Sequence, residues 1–226
     1  DDNQSISKNN STLSEIREIL NASPSLNTYW RVDKNYRNTR EVAKFARYFQ
    51  VLNSRSVSLP NRSGMKPIAF VSSKEDAELE QILQYCGNQN DKEVGVLVFG
   101  KKDDVYQTYK KLNNKFAKYQ QETGASSPYK VQAYISDKKY MLHRAENLVF
   151  DNPPTLTVIN AQSAKGLEFD TVFVLNFGSI HFPPGNEIPA YKKMYVTFSR
   201  PRDALFIYLR ANFEEGFSRA ARLLPS

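Results

Sequence analysis

Within six positions, from Ser163 to Glu168, the sequence sets a hydroxyl, the ammonium of Lys165, the bare backbone of Gly166 and the carboxylate of Glu168. Side chains of these types, so closely spaced, can converge on one polar ligand. Gln162 precedes them with an amide that can hydrogen-bond a phosphate or a base. A second cluster lies far upstream, at Asn35-Tyr36-Arg37-Asn38-Thr39. Its aromatic face suits a base, and its guanidinium fork suits a terminal phosphate. A third lies near the chain's end, where Ser199 and Arg200 precede Pro201.

The elements around the first cluster are the clearest in the chain. Thr155–Asn160 and Thr171–Asn176 are apolar, β-branched runs too short for helices. Strands that are apolar at nearly every position belong to parallel sheets covered on both faces. The connector between them then leaves the C-terminal end of a strand, where open α/β sheets collect ligands. Further strands are expected at 29–32, 67–71, 94–99, 131–135 and 204–208. Helices are expected from Thr12 to Pro24, after Asn38, from Ser73 to a stop at Gly87, beyond Gly100, over Tyr191–Ser199 and over 214–224. Asn38 and Glu41 occupy capping positions for the second of these helices, which turns Val42, Phe45, Ala46 and Phe49 inward. The alternation predicts an α/β fold, a parallel sheet with helices on both faces joined by right-handed crossovers.

The chain has 226 residues, enough for one full core. Its 40% apolar content, with 14 Phe and 13 Tyr, is that of a folded protein. No apolar run approaches the ~20 residues needed to span a bilayer, and the start has no secretory pattern, which together read as cytoplasmic with no membrane partner. A single cysteine, Cys86, excludes an internal disulfide or a cysteine-built metal site, and His181 has no partner at metal-ligand spacing; no metal site is expected in this chain. The net charge of +7 suits a polyanion without requiring one. Lys101, Lys102, Lys110, Lys111 and Lys115 ring one helix as a solvated face first and a phosphate contact second.

Taken as strings, these stretches resemble the motifs of the UvrD/Rep/PcrA group of superfamily one DNA helicases. Gln-Ser-Ala-Lys-Gly-Leu-Glu-Phe at 162–169 resembles motif V, with Gln162 in place of the usual His. Asn35 to Thr39 resembles motif IV, Asn-Tyr-Arg-Ser-Thr. Met194 to Arg200 resembles motif VI, Leu-Tyr-Val-Ala-Leu-Thr-Arg, with Ser199 for Thr and Pro201 where Ala is common. Asp1 to Ile6 resembles the end of motif III without its leading Gly, and the aromatic and basic residues that usually follow are replaced by Ser7-Lys8-Asn9-Asn10. The four stand in the family's order.

The resemblance implies the second RecA-like motor domain of an ATP-dependent DNA helicase, with residues 1–26 the end of motif III and a connecting helix, and 27–226 the domain itself. Tyr36 would stack on adenine and Glu168 would meet the ribose. Arg37, Lys165 and Gln4 would meet the γ-phosphate, with Gly166 in the same nucleotide loop and Arg200 the arginine finger. Gln162 and Ser163 would touch single-stranded DNA. No Gly-x-x-x-x-Gly-Lys-Ser/Thr loop and no Mg²⁺-holding acidic pair occurs. ATP and its Mg²⁺ would therefore need a first RecA-like domain as partner, and this chain alone should not hydrolyse ATP. About 120 residues separate Arg37 from Asn160, and the strand–helix alternation fills them, which implies no large accessory insertion. A helicase-related scaffold without ATPase activity, and a stand-alone nucleic-acid-binding module, remain open alternatives. If Arg200 were merely structural, a pairing with Asp203 would be expected, and its replacement by Ala would cost at most about 1 kcal/mol.

Overall fold

The structure, a computed structural model, describes residues 13–20, 35–51, 58–72, 74–124, 127–150, 154–180, 185–210, 221–222 and 224. Six strands form one sheet in the order β1-β6-β5-β2-β4-β3. They are β1 (Ile68–Ser72), β2 (Val94–Val98), β3 (Lys130–Tyr134), β4 (Thr155–Asn160), β5 (Phe169–Leu175) and β6 (Pro201–Arg210). Every pairing is parallel. The near-continuous apolar character of β2, β4 and β5 has the expected cause, since each is buried over almost its whole length.

Two cores lie on the two faces of the sheet, and alternate residues of one strand serve each. On one face, α2 (Arg40–Arg47) and α5 (Ile188–Phe198) set Val42, Ala46, Met194 and Phe198 against Leu97, Ile159, Val172, Val174 and Leu205. On the other, α3 (Glu75–Asn88) and α4 (Lys102–Thr123) set Leu79, Ile82, Leu112 and Phe116 against Val96, Val98, Leu156, Val158 and Phe173. The expected α/β fold with helices on both faces is the one found.

The local differences have physical reasons. Asn38 is not a helix cap: Thr39 holds the N-cap position of α2 without a side-chain cap bond, and the Asn38 amide is used elsewhere. Gly87 does not stop α3, which continues to Asn88 before Gln89 ends it. The last long helix starts at Ile188, earlier than Tyr191, because Pro189 fits a first helical turn where no N–H partner is needed. The helix α1 (Leu13–Ile19) forms, yet Ile16, Ile19 and Leu20 of its apolar face are exposed among the described residues. Periodicity defines such a face without naming what covers it. The strand expected at 29–32, the ends of the first helix at Thr12 and Pro24, Ser73, His181, and most of 214–224 lie outside the described residues, as does Gln4.

Candidate functional site

The connector after β4 does not gather its polar residues at one point. It leaves β4 at the level where Asn160 is aligned with Val98, and it enters β5 at Phe169, aligned with Pro201. Those levels lie at opposite ends of the sheet, six strand positions apart, or about 20 Å at ~3.3 Å per residue. The expectation that Ser163, Lys165, Gly166 and Glu168 converge is therefore corrected. Two tight turns carry the chain across, the Ser163 and Ala164 N–H groups donating to Asn160 O and the Leu167 N–H to Ala164 O. Ala164 is wholly buried in the crossing, and Gly166, at φ +92°, takes a backbone shape that L side chains rarely adopt.

At the C-terminal edge of the sheet, Gln162 and Ser163 line a cleft of about 240 Å³ together with Gly100, Lys101, Lys102, Ser136 and Asn160. Asn160 shapes its floor, its Nδ2 donating to Gly100 O at 2.9 Å and its Oδ1 accepting from the Gln162 N–H at 3.0 Å. Lys102 Nζ donates to Ser136 O at 2.7 Å and lies 3.3 Å from Asp137. Both lysines thus line the cleft.

At the opposite edge, motifs far apart in sequence meet. Glu168 and Arg200 are the residues just before β5 and β6, and these strands are neighbours, with the Phe169 N–H donating to Arg200 O at 3.2 Å. Arg37 forms an ion pair with Glu168, each side chain somewhat over a third exposed. Tyr36, beside it, is 74% exposed. Lys165 is exposed on the crossing loop.

Arg200 is only 1% exposed, and among the described residues no carboxylate hydrogen-bonds to it. Its Nε donates to Val196 O at 2.8 Å, Nη1 to Leu167 O at 3.2 Å and Nη2 to Ser199 Oγ at 3.0 Å. Burial pushes its guanidinium down to about 10, the neighbouring charge of Arg37 adds to that, and Glu168 opposes it. At neutral pH it stays charged. Three of its five N–H groups donate to these oxygens. The alternative pairing with Asp203 does not occur: Asp203 is held by Arg62 and by Lys92 Nζ at 3.4 Å. Arg202 Nε lies 3.1 Å from Asp170 without the angle of a hydrogen bond, so that contact is one of charge alone.

Backbone contacts hold the motif IV loop to this edge. The Thr39 N–H donates to Arg202 O at 2.9 Å, and Arg62 Nη2 donates to both Arg37 O and Arg202 O. Gly64 packs so closely that a Cβ there would lie 2.3 Å from Thr39 Cγ2. Arg62 and Asn38 were missed as site residues in the sequence. Arg62 has no signal, while Asn35 and Asn38, three apart around Tyr36-Arg37, carry a weak one. Among the described residues, no group of three or more His, Cys, Asp or Glu side chains is placed to hold a metal, and no helix is long and apolar enough to cross a membrane.

A buried parallel sheet with helices on both faces and polar loops at both edges defines the class, an α/β domain. No protein-family model matches the chain, and neither does any curated protein. A solved structure does. It is the crystal structure of the C-terminal domain of a possible DNA helicase from Lactobacillus plantarum WCFS1. The TM-score is 0.50 at 19% identity, over 77% of this chain and 86% of that one. At that identity the likeness establishes the fold, which is of the RecA-like kind.

Proposed function

We propose that the chain is the second RecA-like motor domain of an ATP-dependent DNA helicase of the UvrD/Rep type, working with a first motor domain that holds the phosphates and Mg²⁺ of ATP. The observation that carries this reading is the meeting of Arg37, Glu168 and Arg200 at one edge of the sheet. Two cations, Arg37 and Arg200, stand beside the carboxylate of Glu168, a set that fits a terminal phosphate, and Lys165 would join them from the crossing loop. Exposed Tyr36 offers a face to the base, and Glu168 an acceptor to the sugar. ATP supplies the phosphoryl group. The residues here bind it, orient it and place guanidinium charge where negative charge develops.

The fold neighbour bears the name of the C-terminal domain of a possible DNA helicase, which agrees with this reading. The other edge fits the remaining half of the task. Lysines, an amide and a hydroxyl line a cleft suited to the backbone of a single DNA strand. The crossing loop 161–168 ties the two edges together, so movement at the nucleotide edge is felt at the DNA edge.

The test is ATP hydrolysis by the whole protein with and without single-stranded DNA, beside the chain 1–226 alone. DNA-stimulated turnover by the whole protein and none by the chain is the expected result. Turnover by the repurified chain, or none by the whole protein, would overturn the proposal.

A further inference from the structure

Asn38 is 2% exposed. Its amide sits at the centre of the nucleotide edge. Nδ2 donates to Ser199 O at 3.2 Å and to Pro201 O, the two carbonyls on either side of Arg200. Oδ1 accepts from Asn35 Nδ2 at 2.8 Å. Asn35 Oδ1 in turn accepts from the Arg37 and Asn38 N–H groups at 3.0 and 3.2 Å, which closes an Asx turn around Arg37. One buried side chain therefore fixes the backbone that carries Arg37 to the backbone that carries Arg200.

The residue type is demanding. The site needs two N–H donors on one atom and an acceptor beside them. Asn supplies that set, Ser supplies one donor, and Asp supplies none. A helix cap would need only an acceptor, so capping does not account for this side chain.

We infer that Asn38 is a positioning residue: it holds the Arg37 and Arg200 guanidinium groups at a fixed spacing, so that both arrive at the transferring phosphate together when the motor cleft closes. This rests on the proposed motor function. The Arg200 side chain is held by Val196, Leu167 and Ser199, while the backbone on either side of it is clasped from motif IV, with 161 residues of chain between, so the packing of motif IV bears on its position. A shift of about 1 Å in a catalytic group can cost on the order of 10²-fold in rate.

The test uses the whole protein and compares Asn38→Asp, Asn38→Ser and Arg200→Lys. Asn38→Asp keeps the shape and turns an acceptor toward two carbonyls. The DNA-stimulated kcat is expected to fall about 10²-fold, with KM for ATP moving far less, and Asn38→Ser should recover part of the loss. Combined with Arg200→Lys, Asn38→Asp should add little, because both act through one group. A purely structural residue would instead lower the folded fraction and multiply its loss into the Arg200→Lys background. Wild-type kcat in folded Asn38→Asp and Asn38→Ser overturns the inference, and so does full multiplication. If Asn38→Asp does not fold, Asn38→Ser decides alone by the same two criteria. If Arg200→Lys itself leaves turnover unchanged, the motor proposal fails as well, and that result is read independently of position 38.

Discussion

Replacing Arg200 by Met and by Ala separates the cost of its charge from the cost of its bulk. In the folded chain its guanidinium donates to three oxygens. Of these, Val196 O keeps a second donor, the Ser199 hydroxyl at 3.0 Å. Leu167 O loses its side-chain donor, at a cost of about 1–3 kcal/mol. Against this stands relief: removing a buried cation that sits beside Arg37 and lacks a hydrogen-bonded carboxylate returns a similar amount. Met fills most of the stem's volume, so Arg200→Met should unfold within about 2 kcal/mol of wild type. Arg200→Ala also deletes about two to three buried methylenes and should fall about 2 kcal/mol below Met. Urea unfolding of the chain 1–226 followed by far-ultraviolet circular dichroism measures both. An Ala variant as stable as wild type would mean that the side chain is not buried. A Met variant losing more than about 4 kcal/mol would mean that the guanidinium is a structural keystone and that its charge is compensated. Either result refutes the reasoning.

Gly95→Ala in β2 should destabilise by about 1–3 kcal/mol, because its Cβ would lie 2.5 Å from the buried Phe169 ring, and Phe169→Leu in the same chain should recover part of the loss on urea unfolding. Burial against Tyr106 and Tyr109 lowers the His143 pKa, so the unfolded state takes up a proton more readily. The resulting stability is present above the ordinary histidine value near 6.5 and is lost as pH falls through the lower folded value; His143→Phe should remove this dependence from thermal melts between pH 7 and 5. Single-stranded DNA binding by the whole protein should weaken with salt by about 0.7 in log–log slope per phosphate contacted, and Lys101→Ala should lower that slope. A slope unchanged by that substitution would remove Lys101 from the track.

The strands were legible wherever they are buried on both faces. β2, β4 and β5 lie within a residue or two of their expected bounds because continuous apolar, β-branched runs of that length have few other uses. Arg37, Glu168 and Arg200, drawn from three separate strings, lie together at one edge of the sheet. What spacing could not show was direction. Residues 162 and 168 are close in sequence, yet the loop between them crosses the sheet from one edge to the other, a consequence of β4 and β5 running parallel. Nor could it show Arg200's burial, because the acceptors are carbonyls of Leu167 and Val196, and backbone carries no sequence signal. The Asn38 amide was hidden for the same reason. Glu78 is a further case: an acidic residue on α3 reads as solvent-facing, but it is 1% exposed and holds Arg210 by three hydrogen bonds, supplied from the far end of β6.

The most direct measurement of the central claim is DNA-stimulated ATP hydrolysis by the whole protein carrying Arg200→Met, beside Arg202→Ala. Both arginines lie at the start of β6, but Arg202 faces Asp170, whereas Arg200 lies among Arg37, Glu168 and Leu167. A guanidinium that stabilises the transferring phosphoryl group is worth about 10³ to 10⁵ in turnover. Arg200→Met should lose turnover by that factor, with the protein folded and single-strand binding retained, while Arg202→Ala should keep near wild-type turnover. Equal, near wild-type turnover in both variants would contradict that role for Arg200.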